Sequence, residues 1–263
     1  MQRELMYDIP TPIIALALLI GMLIALVIGH MLDRTEGRAD DQTRAQSNTV
    51  QGALTGLLAL LLGFTFSLSL ARHDDRSGHV VHEANAIGTA WLRTDLLPEG
   101  AQAAAQVLLR GYTAARIDAV AVPASEIEAR AALVAKANAT FNEVWRIATD
   151  VARTEKSPVV TSFVTSLNDM IDALAARDAA VERHVPELVL FLMFGTFMVL
   201  AVIMGFTASQ ANTRPGVPAY AMMALIVVLV FIIIDLDRPR RGLIEIDQTP
   251  LVEVYDAMLA APG

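Results

Sequence analysis

The sequence predicts an all-α membrane protein: four transmembrane helices, with a helical, water-soluble domain inserted between the second and third. Three observations carry this. Of the 263 residues 54% are hydrophobic and only 18% charged, against roughly 45–50% and about 25% in ordinary globular chains. The excess is clustered. Ile13–Leu32 is apolar apart from Gly21, Gly29 and His30, and Gly52–Ala71, Leu188–Ser209 and Val217–Ile234 carry no charge at all. Each run suits the roughly 20 helical residues that cross a ~30 Å hydrocarbon core. Between the second and third runs, residues 72–185 return to an ordinary soluble composition, with fifteen Asp and Glu against twelve Lys and Arg.

The elements follow in order. Residues 1–71 hold the first two spans, at about 12–32 and 51–71. The first is longer than the ~7–15-residue apolar core of a signal peptide and leads straight into Asp33 and Arg34, so it reads as a retained anchor. A polar connector, Gly37–Asn48, joins the two spans. Residues 72–185 form the soluble domain, helical nearly throughout. Arg72–Leu97 prolongs the second span until Pro98. Ala101–Val120 is alanine-rich, with Val107, Leu108, Tyr112 and Ile117 at roughly helical spacing. Ser125-Glu126-Ile127-Glu128 is a capping box, opening a helix to about Arg153. Ser157-Pro158 is an N-cap followed by proline at the first helical position, where its missing N–H costs nothing, and that helix runs to His184. Residues 186–236 hold the third and fourth spans, at about 187–209 and 218–235, joined by the turn-forming Asn212-Thr213-Arg214-Pro215-Gly216. Residues 237–263 form a C-terminal cytosolic segment.

Four spans place both termini and the inserted domain on one side. That side carries Arg3, Arg72, Arg76, Arg177, Arg183, Arg238, Arg240 and Arg241 near the spans, and the other Arg34, Arg38, Arg44 and Arg214. Positive residues favour the cytoplasm, so the domain is expected inside.

Enzyme chemistry finds no foothold. Glycine-rich phosphate loops, dinucleotide fingerprints and nucleophile elbows are missing, and with no cysteine there is no thiol chemistry. A net charge of −8 opposes a nucleic-acid partner. His79 and His82 share a helix face beside Glu83, but without the His-Glu-x-x-His spacing of a zinc site they read as solvated juxtamembrane residues. No metal or cofactor is expected. Coupled pumps hold acids at mid-membrane, whereas here Glu187 only begins the third span and Asp235 and Asp237 end the fourth, read as interfacial beside Arg238, Arg240 and Arg241.

Small residues are more informative. Gly21, Ala25 and Gly29 form one stripe and Gly52, Gly56, Ala59 and Gly63 another. Such stripes let helix backbones approach closely in lipid. The first is assigned to packing within the chain, the second to packing and assembly. On the second span Leu60, Phe64, Ser67 and Ala71 share a narrow face, with Thr55, Thr65 and Ser69 in other directions. Spacing alone allows this helix to line a pore or to sit at the centre of its own bundle.

Leu62-Gly63-Phe64, followed by Arg72 after eight residues, resembles the pore-lining second helix of the bestrophin channels. Glu83-Ala84-Asn85-Ala86-Ile87-Gly88 with Arg93, and Leu236-Asp237-Arg238-Pro239-Arg240-Arg241-Gly242 with Gln248-Thr249-Pro250-Leu251, resemble a bacterial bestrophin-like domain family. The resemblance implies a ring-shaped homo-oligomer, a pentamer in bestrophins, in the bacterial inner membrane, with the second helix on its axis. It further implies gate positions at Leu60 and Phe64, a third ring position at Gly56, which lacks a side chain to close it, and an inner pore mouth at Arg72. The calcium-holding acidic cluster of animal bestrophins has only the scattered Glu245, Asp247 and Glu253 for a counterpart and is not carried over.

The function expected is therefore an oligomeric channel for inorganic ions, its partners being the lipid bilayer, its own copies and the ions. A non-conducting structural or signalling protein of the same architecture is the alternative. An ion-driven motor subunit comes third, since its polar path would have only Thr196 and Thr207 on the third span.

Overall fold

The computed structural model describes residues 9–32, 41–122, 126–238 and 242–261, and every element among them is helical. In chain order these are α1 (Thr11–Leu32), α2 (Asp41–Arg93), α3 (Glu99–Ala121), α4 (Ile127–Thr154), α5 (Pro158–Glu182), α6 (Glu187–Gln210), α7 (Val217–Asp237) and α8 (Thr249–Ala260). Four stretches are long and apolar enough to cross a membrane, and they fall in α1, α2, the α5–α6 stretch and α7. The apolar, charge-free runs 52–71 and 188–209 lie within α2 and within the α5–α6 stretch.

Two local expectations change. The connector expected over 37–48 is helical from residue 41 onward, so α2 runs 53 residues without a break. No glycine or proline interrupts 41–51, and the chain simply winds its helix on past the apolar run. At the other end α2 stops at Arg93, and a 3-10 turn, Thr94–Leu96, precedes Pro98. The predicted capping residue Ser125 lies outside the described residues, and α4 opens after Glu126, whose side chain makes no capping bond. Ser157 does cap α5: its hydroxyl accepts the Val159 N–H at 3.2 Å, with Pro158 in the first turn.

The chain divides into two compact units. The first, Met1–His73 with His184–Ile244, holds α1, the first part of α2, α6 and α7. Here α1 packs most extensively on α6, then on α7. Leu18, Met22, Leu26, Phe197, Leu200, Met223 and Val230 make its core. Among the described residues of α2, Leu58 and Leu62 join this buried apolar set. The second unit, Asp74–Arg183 with Glu245–Gly263, holds the rest of α2 with α3, α4, α5 and α8. Its core mixes small and bulky residues, Ala84, Ala90, Ala105, Ala115 and Ala148 with Tyr112, Phe163 and Met170. Alanine at these positions lets helices approach closely while the larger side chains interdigitate.

Candidate functional site: the second helix and its flanks

The faces of α2 are strongly unequal. Leu58, Leu62, Thr65 and Ser69 are buried along one side of the span, at 0–8% exposure. The opposite side carries Leu60 and Phe64, exposed by 55% and 65%, together with exposed Ser67 and Ala71. The two bulky residues therefore stand one turn apart on a face that the chain itself leaves uncovered. Thr65 turns its hydroxyl back to the Leu61 carbonyl at 2.7 Å, which spares a buried donor without a polar neighbour.

The glycines separate into two groups. A Cβ at Gly29 would fall 1.9 Å from the Val202 carbonyl oxygen, and one at Gly21 would meet the end of Met198. Gly205 on α6 is equally tight, 2.0 Å from the Leu26 oxygen, and Ala25 is buried between them at 6% exposure. Gly52, Gly56 and Gly63 meet nothing within 4 Å. On the α2 stripe, then, the chain makes no close backbone approach of its own.

Arg72 does not stand free at the end of the span. Its Nη1 lies 3.5 Å from Asp237 Oδ1 at the end of α7. The other carboxylate oxygen accepts the Val185 N–H at 2.8 Å, and His184 Nδ1 lies 3.3 Å from the Asp237 backbone oxygen. Asp235 is committed in the same way: its Oδ2 accepts the N–H groups of Leu243 and Ile244 at 2.7 and 2.9 Å. Arg238 donates to the Ile9 carbonyl and the Thr11 hydroxyl. Asp235, Asp237 and Arg238, at the end of the fourth span, are thus 2–4% exposed. Burial is tolerated because each carboxylate receives several donors. Arg240 and Arg241 lie outside the described residues.

The sequence also missed a polar core in the second unit. Glu83, read beside His79 and His82, is fully buried and meets two arginines instead. Arg116 Nε donates to its Oε1 at 2.8 Å, Arg177 donates to Oε2, and Arg177 Nη2 continues to Gln248 at 2.8 Å. Burial acts to raise the Glu83 carboxyl, but the charges of Arg116 and Arg177 and their hydrogen bonds outweigh it and hold the group below the usual carboxylate range. Burial, then the Glu83 charge, pushes the neighbouring Tyr112 phenol up. His79 stands 3.7 Å from Asp75, while Arg76 is buried and donates to the Ala180 and Arg183 carbonyls at 3.1 and 2.6 Å. Thr196 returns its hydroxyl to the helix backbone, and Thr207 donates to Gln51 Oε1 at 2.9 Å.

Among solved structures the chain resembles a point variant of a bacterial bestrophin homologue from Klebsiella pneumoniae, with a TM-score of 0.64 at 12% identity over 93% of this chain and 96% of that one. A second variant from the same organism gives 0.61 at 14% identity over 95% and 97%. A structure described only as a membrane protein gives 0.63 at 12% identity over 93% and 94%. At such identities the likeness establishes the fold alone. No curated protein matches. The model of the bestrophin-like domain matches residues 14–251, and the chain belongs to that family.

Proposed function

We propose that copies of the chain form a ring in the bacterial cytoplasmic membrane and pass inorganic ions along an axis lined by α2. One observation carries this reading: Leu60 and Phe64 stand uncovered on one face of α2, while the opposite face is buried in the chain's own bundle. Facing the axis, the two residues make stacked apolar rings, a neck at which an ion would shed hydration water without polar replacement. Gly56, one turn before Leu60, adds no ring. Arg72, held by Asp237, stands at the inner mouth, and the helical unit faces the cytoplasm. A lipid-facing helix would also expose Leu60 and Phe64, so the test must be functional. In planar bilayers Leu60→Ala with Phe64→Ala raises conductance or open probability, whereas Thr65→Val, on the buried face, leaves the current unchanged. A double variant that inserts and oligomerises but conducts no more than the parent makes these residues packing groups and favours the non-conducting reading.

A further inference from the structure

Beyond conduction, we propose that the crevice between α2 and α7 holds one acyl chain of an anionic phospholipid, whose headgroup lies over Asn48, Gln51 and Thr207 with its phosphate toward Arg44. The crevice is a cavity of about 370 Å³ within the first unit, walled by Thr55, Leu58, Leu62 and Phe66 of α2 and by Met222 and Ile233 of α7, among other apolar side chains. It follows α2 from Thr55 to Phe66 and α7 from Met222 to Ile233. At 1.5 Å per residue each wall is about 16 Å long. That is close to half of the ~30 Å hydrocarbon core, the reach of one leaflet's acyl chain. An apolar cavity of this kind holds no water, and hydrocarbon is the solvent that surrounds these helices.

The headgroup end is also built. A second cavity of about 380 Å³ adjoins the first through their common wall residue Met222, and it is lined by Asn48, Gln51, Thr207 and the Pro215–Gly216 turn. The lining thus passes from hydrocarbon to hydrogen-bonding groups where α2 leaves its apolar run. Arg44 lies one turn beyond Asn48 on the same α2 face, since residues 44, 48, 51, 55 and 62 fall in one stripe under roughly 100° wide. Its Nε is buried without a hydrogen-bond partner among the described residues. At the same end of α6, one turn past Thr207, Gln210 is 5% exposed and its Oε1 is likewise unpartnered. A cation with an unused donor above an apolar slot is complementary to a phosphate that carries a hydrocarbon tail.

The test uses the full chain in lipid nanodiscs doped with phosphatidylglycerol or phosphatidylcholine bearing a mid-chain diazirine, with the photolabelled peptides mapped by mass spectrometry. Label from phosphatidylglycerol should concentrate at least fivefold on 55–66 and 222–233 relative to the exposed α1 residues Leu16 and Ile24. Ala59→Phe and Gly63→Phe fill the slot from successive turns and should each remove most of that excess; if one fails to fold, the other decides. Arg44→Gln should bring phosphatidylglycerol labelling down to the phosphatidylcholine level. Even labelling of α1 and the crevice in the parent would mean annular lipid only. Retained labelling in a folded Phe variant would place the lipid elsewhere. Each of these two results overturns the proposal, and an unchanged lipid preference in Arg44→Gln overturns the headgroup assignment.

Discussion

Glu83 Oε1 accepts a hydrogen bond from Arg116 Nε at 2.8 Å, joining α2 to α3 at a point where neither side chain reaches solvent freely. With Arg177 from α5 on the other oxygen, one carboxylate ties three helices together. Removing the charge leaves two buried guanidinium groups facing each other without a counterion.

Glu83→Gln should therefore destabilise the protein at neutral pH by about 3–5 kcal/mol. The folded carboxyl sits below its usual range. Its stabilisation is thus complete above the unfolded value near 4.3 and is lost as the pH falls through the lowered folded value. Thermal melts from pH 7 to 3 check this: the gap between parent and variant should hold down to about pH 4.5 and close below it. A gap that stays constant to pH 3 would mean that the loss is one of packing, not charge.

Asp237 should behave as a junction between Arg72 and the start of the third span. Asp237→Asn keeps an oxygen for the Val185 N–H but gives up the attraction for Arg72, and Asp237→Ala gives up both. Unfolding in detergent should rank parent, Asn and Ala in falling order, the last step costing about 1–3 kcal/mol for an orphaned buried amide. Equal stability of Asn and Ala would show that the Val185 bond contributes nothing.

The helices were legible because their signals are local. Charge-free runs mark the spans, and Ser157-Pro158 marks the start of α5 through a bond two residues away. The Glu83 network was hidden because its partners lie 33 and 94 residues off, and a lone Arg on an alanine-rich helix looks solvated. The hydrogen bond that Asp237 accepts from the Val185 N–H is hidden for a related reason, since the two residues lie 52 apart in the chain. The motifs Glu83-Ala84-Asn85 and Leu236-Asp237-Arg238, which resemble the family's, each contain a buried carboxylate, a structural reason for their form.

Sidedness follows from cysteine accessibility, made clean by a chain with no native cysteine. Ala211→Cys lies exposed in the turn after α6, and Ala135→Cys lies exposed on α4. With intact cells, a membrane-impermeant maleimide should modify position 211 and spare position 135 until the cells are lysed. The reverse pattern would put the helical unit outside and overturn the arginine argument.

The two glycine stripes should respond in opposite ways to the same chemistry. Alanine normally stabilises a helix over glycine by about 1 kcal/mol. At Gly29 its Cβ would stand 1.9 Å from a backbone oxygen of α6, which no side-chain rotation relieves, so α1 and α6 must move apart. Gly29→Ala should thus destabilise by about 3 kcal/mol or more despite its better propensity. Gly56 meets nothing within 4 Å, so Gly56→Ala should leave the monomer's melting unchanged or slightly raised. Gly56→Leu then separates fold from assembly. The chain has room for it, but a neighbouring copy packed on this stripe does not. Multi-angle light scattering of the solubilised protein should show the parent as an oligomer and Gly56→Leu as a smaller species of the same helicity. A parent that is already monomeric removes the ring and the conduction path with it. A Gly56→Leu oligomer of parental mass would show instead that the glycine stripe lies outside the interface between copies.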